Sequence, residues 1–188
     1  MSRWAPNAVD RLQEAAIDLF EERGFDRTTV AEIAERAGLT ERTFFNHFAT
    51  KREVLYGPRS LRQQQVVGRE ITESPDAPAP LDTVVRALQV AADEVFEGLR
   101  TASMRRRRII AASPELQERE DGKRAALTAV IAEALQGRGL EPDTALLTAR
   151  VGVLVQQTAE QRWAEPAERR PLRDLLSEAL LTLRTIVD

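Results

Sequence analysis

The stretch AGLTERTFFNHFATK, Ala37 to Lys51, decides how this sequence folds. It holds three phenylalanines and the only histidine of the chain, beside threonine, arginine, asparagine and lysine side chains. On a helix, where successive residues turn by about 100°, Phe44 and Phe48 share one side and Arg42 and Asn46 lie on the other. One side of this helix is therefore predicted to pack in a core, and the other to face a polar partner.

Two further helices are predicted before this stretch. Residues 7–24, NAVDRLQEAAIDLFEERG, carry apolar side chains at the 3.6-residue spacing of an amphipathic helix. In the following TTVAEIAERAG, Thr29 and Glu32 match a capping box, and Gly38 ends the helix where a left-handed residue is favoured. Thr40 then caps a third helix. Two short helices joined by a tight glycine-containing turn predict a helix-turn-helix.

The remaining sequence predicts helices and no strand. One helix is interrupted near Gly57-Pro58, because proline removes a backbone donor and clashes with the preceding turn. A long helix begins at Pro114, where proline suits the first helical position. The fold class is therefore all-α, divided into a three-helix domain over residues 1–52 and a larger helical domain over residues 53–188.

Composition excludes several kinds of chemistry. The 188 residues contain no cysteine, which excludes disulfides and thiolate nucleophiles, and the single histidine disfavours metal sites and catalytic triads. We expect no metal, no cofactor and no enzymatic activity. The formal net charge is −3, so any contact with nucleic acid must be local. The longest apolar run, VGVLV at residues 151–155, is too short to span a bilayer, so a cytoplasmic location is expected.

The segment AAIDLFEERGFDRTTVAEIAERAGLTERTFFNHFATKREVL resembles the DNA-binding domain of the TetR (tetracycline-repressor) family of bacterial regulators. The resemblance covers roughly residues 9–55, and the Gly-Phe, Thr-Thr-Val, Ala-Gly-Leu-Thr and Phe-x-x-Lys motifs lie at the family's spacing. It implies that residues 1–52 bind double-stranded DNA at a palindromic operator. It also implies that residues 53–188 form an effector-binding and dimerisation domain, which makes the protein a homodimeric, ligand-responsive repressor.

Eight positions of this sequence correspond to DNA contacts in the family. Phe45 stands where the family usually has tyrosine, so it keeps an apolar contact but loses a phosphate hydrogen bond. For His47 and Lys51, a structural or solvated role is the alternative. The resemblance implies phosphate contacts for Thr28, Thr29, His47 and Lys51. It implies contacts to the bases or to the DNA backbone for Arg42, Thr43 and Asn46, and an apolar contact for Phe45.

The C-terminal helices offer wide apolar surfaces. The helix around residues 145–155 is apolar on nearly all sides, and the last helix carries a continuous leucine stripe. Both could form a four-helix interface across a two-fold axis, as the family's dimers do, although a buried core helix is the alternative. The predicted interface residues are Leu154, Leu172, Leu176, Leu180 and Leu183.

Three residues are candidates for a ligand pocket. The run of four arginines at Arg105 to Arg108 spreads around a helix, so its members cannot share one side. One of them, Arg106, is a candidate for an anionic ligand, while pairing with the acidic ELQERED segment is the alternative. Phe96 and Trp163 are candidates to line an apolar cavity, and core packing is their alternative use.

Two other classes of function compete with the ligand-responsive repressor. An α-helical enzyme is disfavoured because the carboxylates occupy ordinary helix-surface positions. An architectural or partner-recruiting DNA-binding protein would lack a small-molecule effector, and a well-formed apolar cavity in the second domain would argue against it.

Overall fold

The computed structural model describes residues 7–74 and 79–187, and within them every regular element is a helix. The nine α-helices in this part of the chain confirm the all-α prediction. They are α1 Ala8–Arg23, α2 Val30–Arg36, α3 Glu41–His47, α4 Arg59–Glu73, α5 Pro80–Ala91, α6 Arg100–Ala111, α7 Pro114–Gly137, α8 Pro142–Trp163 and α9 Leu172–Val187. A 3-10 helix at Lys51–Leu55 precedes α4, and a π-helical turn at Ala92–Phe96 follows α5.

The helices α2 and α3 begin at the capping residues that the sequence predicts. The Thr29 hydroxyl accepts a hydrogen bond from the backbone N–H of Glu32, whose carboxylate accepts one from the N–H of Thr29. The Thr40 hydroxyl accepts from the N–H of Thr43 at the start of α3. Gly38 lies between the two helices at φ 64°, a conformation that costs glycine little and disfavours other residues. The helix-turn-helix is therefore confirmed in its local detail.

The chain divides into two compact units, and their bounds differ from the predicted domains 1–52 and 53–188. Unit 1 comprises Met1–Pro58 together with Arg105–Glu120, and unit 2 comprises Arg59–Met104 and Asp121–Asp188. Unit 1 thus extends beyond the predicted boundary and includes the end of α6 and the start of α7. Sequence patterns could not indicate this addition, because it depends on contacts between residues far apart in the chain.

Phenylalanine side chains dominate the core of unit 1. Phe44 is completely buried and Phe48 nearly so, and their ring centroids lie 5.4 Å apart. Phe20 and Ile33 pack in the same cluster, with Leu39 half-buried beside it. Burying one such side chain contributes about 1.5–3 kcal/mol, so this cluster fixes the position of α3. The predicted inward side of α3 is confirmed.

Unit 2 is built from α4, α5, α8 and α9 around an aliphatic core, with α7 side chains in the same cluster. The helices α5 and α8 approach closely at Gly152, where an added Cβ would lie only 2.5 Å from Val84 Cγ1. Across residues 7–74 and 79–187, no helix combines the length and apolar character needed to cross a membrane.

Candidate nucleic-acid interface and apolar groove

The outward side of α3 gathers a set of exposed side chains that we call the α3 outer face: Arg42, Phe45, Asn46 and His47. Residues three and four positions apart are neighbours on a helix, so Arg42 lies beside both Phe45 and Asn46. His47 stands at the margin of the set, with its ring 6.4 Å from that of Phe48. The face combines a cation, an amide, an imidazole and an aromatic ring on one short helix.

Arg42 is exposed, and among the described residues it has no side-chain hydrogen bond or ion pair. By contrast, Arg36 at the end of α2 pairs with Glu22 at 2.9 Å. An exposed guanidinium without a carboxylate keeps all five N–H donors available to a ligand. Within the α3 outer face, Arg42 is therefore the cation available to bind an external acceptor.

Thr43 is held less freely than its neighbours on α3. Its hydroxyl lies 2.9 Å from that of Thr40, which also caps the helix. The Thr43 side chain is half-buried. One hydroxyl of the pair donates to the other, so the two threonines present a shared polar edge beside the α3 outer face.

The structure places Lys51 differently from the prediction of a free phosphate contact. Its ammonium donates to the carbonyl oxygens of Phe25 and Thr28, at 2.8 and 3.0 Å, and lies 4.1 Å from the Phe25 ring centroid. Two of the three N–H donors are therefore used to hold the turn between α1 and α2. The structural alternative for Lys51 accounts for these contacts.

The two predicted threonines at the start of α2 also have internal roles. Thr28 is only 1% exposed, and its hydroxyl donates to the carbonyl of Gly24 at 2.9 Å. Thr29 is exposed, but its hydroxyl donates to the Glu32 carboxylate at 2.9 Å. A carboxylate at this position opposes a phosphate by charge, and it holds a lowered pKa because it accepts hydrogen bonds from Thr29. Burial removes Thr28 from any external interface.

One contact that positions α3 was missed from the sequence. The Arg11 guanidinium of α1 donates to the backbone carbonyls of Ala37 and Gly38, in the turn between α2 and α3. An added Cβ at Gly38 would lie 2.8 Å from this guanidinium. No local pattern could indicate this pairing, because Arg11 and Ala37 are 26 positions apart in the chain.

Arg106 belongs to a buried cluster around Tyr56 in unit 1. Its guanidinium pairs with Glu120 at 2.6 Å and lies 5.0 Å from the Tyr56 ring centroid, as does that of Arg119. The Tyr56 hydroxyl donates to the Leu116 carbonyl at 2.9 Å. Burial raises the pKa of Tyr56 to about 12, so this donor remains protonated at neutral pH. Pairing with the acidic segment, the alternative for Arg106, accounts for its position.

The neighbouring Arg105 pairs instead with α1. Its guanidinium donates to Asp18 at 2.6 Å and to Glu21 at 2.8 Å. These contacts, like those of Arg106, join the α6–α7 segment to the rest of unit 1. Consecutive arginines thus serve different partners, as their separation around the helix predicts.

The two aromatic ligand candidates lie in unit 2. Phe96 is half-buried against the unit 2 core, at the end of the π-helical turn. Trp163 is 7% exposed in the same core, and its carbonyl accepts a hydrogen bond from Arg100 at 2.9 Å. Their packing matches the core alternative for both. Arg106 lies in unit 1, so the three candidates do not form one site within either unit.

An apolar groove of about 280 Å³ runs between α8 and α9 in unit 2. Leu154, Leu183 and Ile186 line it, together with Val155 and Ala179. Leu154 is 54% exposed and Ile186 75% exposed. Nearby on the same two helices, Leu147 and Leu181 are also exposed. Such a concentration of exposed apolar side chains is typical of a protein interface.

The other three predicted interface leucines lie elsewhere. Leu172, Leu176 and Leu180 are at most 7% exposed and belong to the core of their own unit. Leu183 is half-buried against the same core and also lines the groove, whereas Ile186, further along α9, is exposed there. A partner subunit could therefore contact Leu154 and Leu183, but not these three without rearranging unit 2.

Charged side chains border one part of the groove. Arg162 and Glu178, which both line it, pair at 2.5 Å, and Glu178 also pairs with Arg170 at 2.7 Å. Arg170 in turn holds Glu168 at 2.7 Å, and hydrogen bonds from Arg170 and Arg169 keep the pKa of the Glu168 carboxyl far below its usual value. Within the described residues, no cluster of three or more side chains suited to a metal ion occurs.

Comparison with known proteins gives a consistent result. Residues 12–56 match the family model described as bacterial regulatory proteins, tetR family. A candidate transcriptional regulator of mycofactocin biosynthesis, MftR of Mycobacterium tuberculosis, is 31% identical over 106 residues, which are 56% of this chain and 52% of that protein. The HTH-type transcriptional regulator TcmR of Streptomyces glaucescens is 34% identical over 89 residues, 47% of this chain and 39% of that protein. The chain spans about half the length or less of these curated relatives.

Solved structures extend the similarity over nearly the whole chain. The repressor FadR of Thermus thermophilus, a TetR-family protein crystallised with lauroyl-CoA, has 26% sequence identity and a TM-score of 0.53. The match covers 94% of this chain and 93% of that one. The helical architecture predicted from the sequence is therefore shared with a solved TetR-family structure.

Proposed function

We propose that the chain is a transcriptional repressor of the TetR family and that it reads DNA with α3. The exposed and unpaired guanidinium of Arg42 is the single observation that carries this proposal. An arginine of this kind can donate two hydrogen bonds to the O6 and N7 atoms of guanine in the major groove. Asn46, one turn further along α3, can pair in the same way with adenine.

The proposed DNA interface is smaller than the set of eight positions predicted from the sequence. It consists of the α3 outer face with Thr43 beside it. Thr28 is left out because it is buried, and Lys51 because most of its donors are bound by carbonyl oxygens. Thr29 is exposed, but its hydroxyl donates to the Glu32 carboxylate, whose negative charge opposes a phosphate, so Thr29 is left out as well.

We further propose that two chains pair through the groove between α8 and α9. Leu154, Leu183 and Ile186 offer an apolar surface that a second copy of α8 and α9 would cover, giving a four-helix interface. A two-fold dimer presents two α3 helices to half-sites about 34–36 Å apart, which requires an operator with inverted symmetry. The mass in solution checks this directly, because a dimer has twice the chain mass of 21.0 kDa.

The repressor is proposed to respond to a small molecule bound within unit 2, in the bacterial cytoplasm. The solved FadR relative was crystallised with lauroyl-CoA, which makes acyl-CoA thioesters the first compounds to screen. An effector releases DNA only by the difference between its affinities for the two forms of the protein. If every compound that binds the protein leaves its DNA affinity unchanged, the architectural DNA-binding alternative is favoured.

Selection from a pool of random duplexes tests the DNA-binding proposal. We expect enrichment of one sequence with inverted half-sites, and saturable binding to it in fluorescence anisotropy at a fixed, stated salt concentration. A scrambled duplex of equal length and composition serves as competitor. Enrichment of no sequence, with equal weak binding to both duplexes, would refute the proposal.

A further inference from the structure

Phe45 is exposed although it is a large apolar side chain. It is 54% exposed, whereas the adjacent Phe44 is completely buried. Among the described residues of unit 1, no other large apolar side chain is exposed. Its exposed ring contrasts with the buried phenylalanines that hold α3 in place, so the fold of unit 1 does not require an aromatic side chain at this position.

The Phe45 ring is held in a defined position despite its exposure. It meets the Phe44 ring edge to face, with centroids 5.5 Å apart and planes at 79°. Such aromatic pairs are favourable, and phenylalanine has only two side-chain torsions to restrict. The ring is therefore pre-positioned on the α3 outer face, between polar neighbours.

Phenylalanine offers no hydrogen bond to a phosphate or to a base edge. The apolar feature that a base pair presents in the major groove is the C5-methyl group of thymine. From the exposure of the ring and its place beside Arg42, we infer that Phe45 is a specificity-determining residue that reads a thymine methyl group. The inference rests on the proposed function and defines one base pair of each half-site.

Replacement of thymine by deoxyuridine isolates this contact, because it removes the methyl group and leaves base pairing unchanged. In the selected duplex, each thymine of a half-site is replaced singly, and affinity is measured by anisotropy. We expect one position per half-site to lose about fourfold in affinity, the value for burying one methyl group. The other positions should change little.

Two variants link the effect to Phe45. In Phe45→Ala the same deoxyuridine replacement should no longer change affinity, whereas in Phe45→Tyr, which keeps the ring, the fourfold loss should persist. Phe45→Tyr, which keeps the edge-to-face contact with Phe44, should unfold at the wild-type temperature, and Phe45→Ala, which loses that contact, within a few degrees of it. Circular dichroism checks both. Asn46→Ala is the matched control on the same helix face, and it should retain the loss at the Phe45 position.

Two results would overturn the inference while leaving the proposed function intact. One is a selected duplex in which no thymine is sensitive to loss of its methyl group. The other is a sensitivity of equal size in the wild type and in Phe45→Ala. Failure to select any duplex is a separate result, and it would refute the DNA-binding proposal itself.

Discussion

Two exposed surfaces of this protein differ in their chemistry. The α3 outer face in unit 1 presents a guanidinium, an amide and an imidazole around one aromatic ring. The groove between α8 and α9 in unit 2 presents leucine and isoleucine side chains, with charged pairs at one part of its lining. The first surface suits a polar, anionic partner such as DNA, and the second suits a partner as apolar as itself. Under the proposed function, DNA recognition and dimer assembly therefore belong to different parts of the chain.

The largest expected effect comes from placing a charge in the groove. In Leu154→Glu, each subunit loses about 1.5–3 kcal/mol of apolar contact and must also bury or expose an unpaired carboxylate. We therefore expect the dimer to dissociate at micromolar concentration, as measured by sedimentation equilibrium. Binding to the full operator should weaken with it, because one chain contacts one half-site.

Leu61→Glu is the matched control for that variant. Leu61 lies on α4 of the same unit and is 59% exposed, close to the 54% of Leu154, but it does not line the groove. The control should remain dimeric. If both variants remained dimeric, or if only Leu61→Glu dissociated, the groove would not be the subunit interface.

A smaller effect separates stability from recognition within unit 1. Lys51→Ala removes two charge-assisted hydrogen bonds to backbone carbonyls. One hydrogen bond to a charged group contributes about 1.5–3 kcal/mol. We expect a loss of at least about 1.5 kcal/mol in the free energy of unfolding in urea. Arg42→Ala changes the charge equally but should stay within about 0.5 kcal/mol of the wild type, since its exposed side chain makes no hydrogen bond or ion pair within the described residues.

The opposite ranking would reverse the roles given to these two residues. If Arg42→Ala destabilised unit 1 while Lys51→Ala left its stability unchanged, Arg42 would be structural. Lys51 would then regain its predicted role as a phosphate contact.

The α3 surface could be predicted from the sequence because its determinants are local. The caps at Thr29 and Thr40, the glycine between them and the spacing of Phe44 and Phe48 all act within a few residues. These features set both the helix and the side of it that faces outward. The resemblance to the TetR family added the role of that side.

Long-range contacts explain what could not be predicted. The last helix has apolar residues around much of its circumference, so only its packing in unit 2 decides that Leu176 points inward and Ile186 outward. Similarly, Lys51 donates hydrogen bonds to Phe25 and Thr28, which lie 26 and 23 positions earlier in the chain. A pattern of residue types cannot show which carbonyl a lysine will reach.

The central claim is that α3 reads DNA through Arg42, and the ratio of affinities for the selected and scrambled duplexes tests it most directly. Arg108→Ala is the control, because Arg108 is also exposed and in unit 1 but lies on α6. We predict that Arg42→Ala lowers the ratio roughly 5- to 150-fold for each half-site contact, the equivalent of about 1–3 kcal/mol. Arg108→Ala should leave the ratio unchanged. Equal ratios in the wild type and in Arg42→Ala would contradict the account.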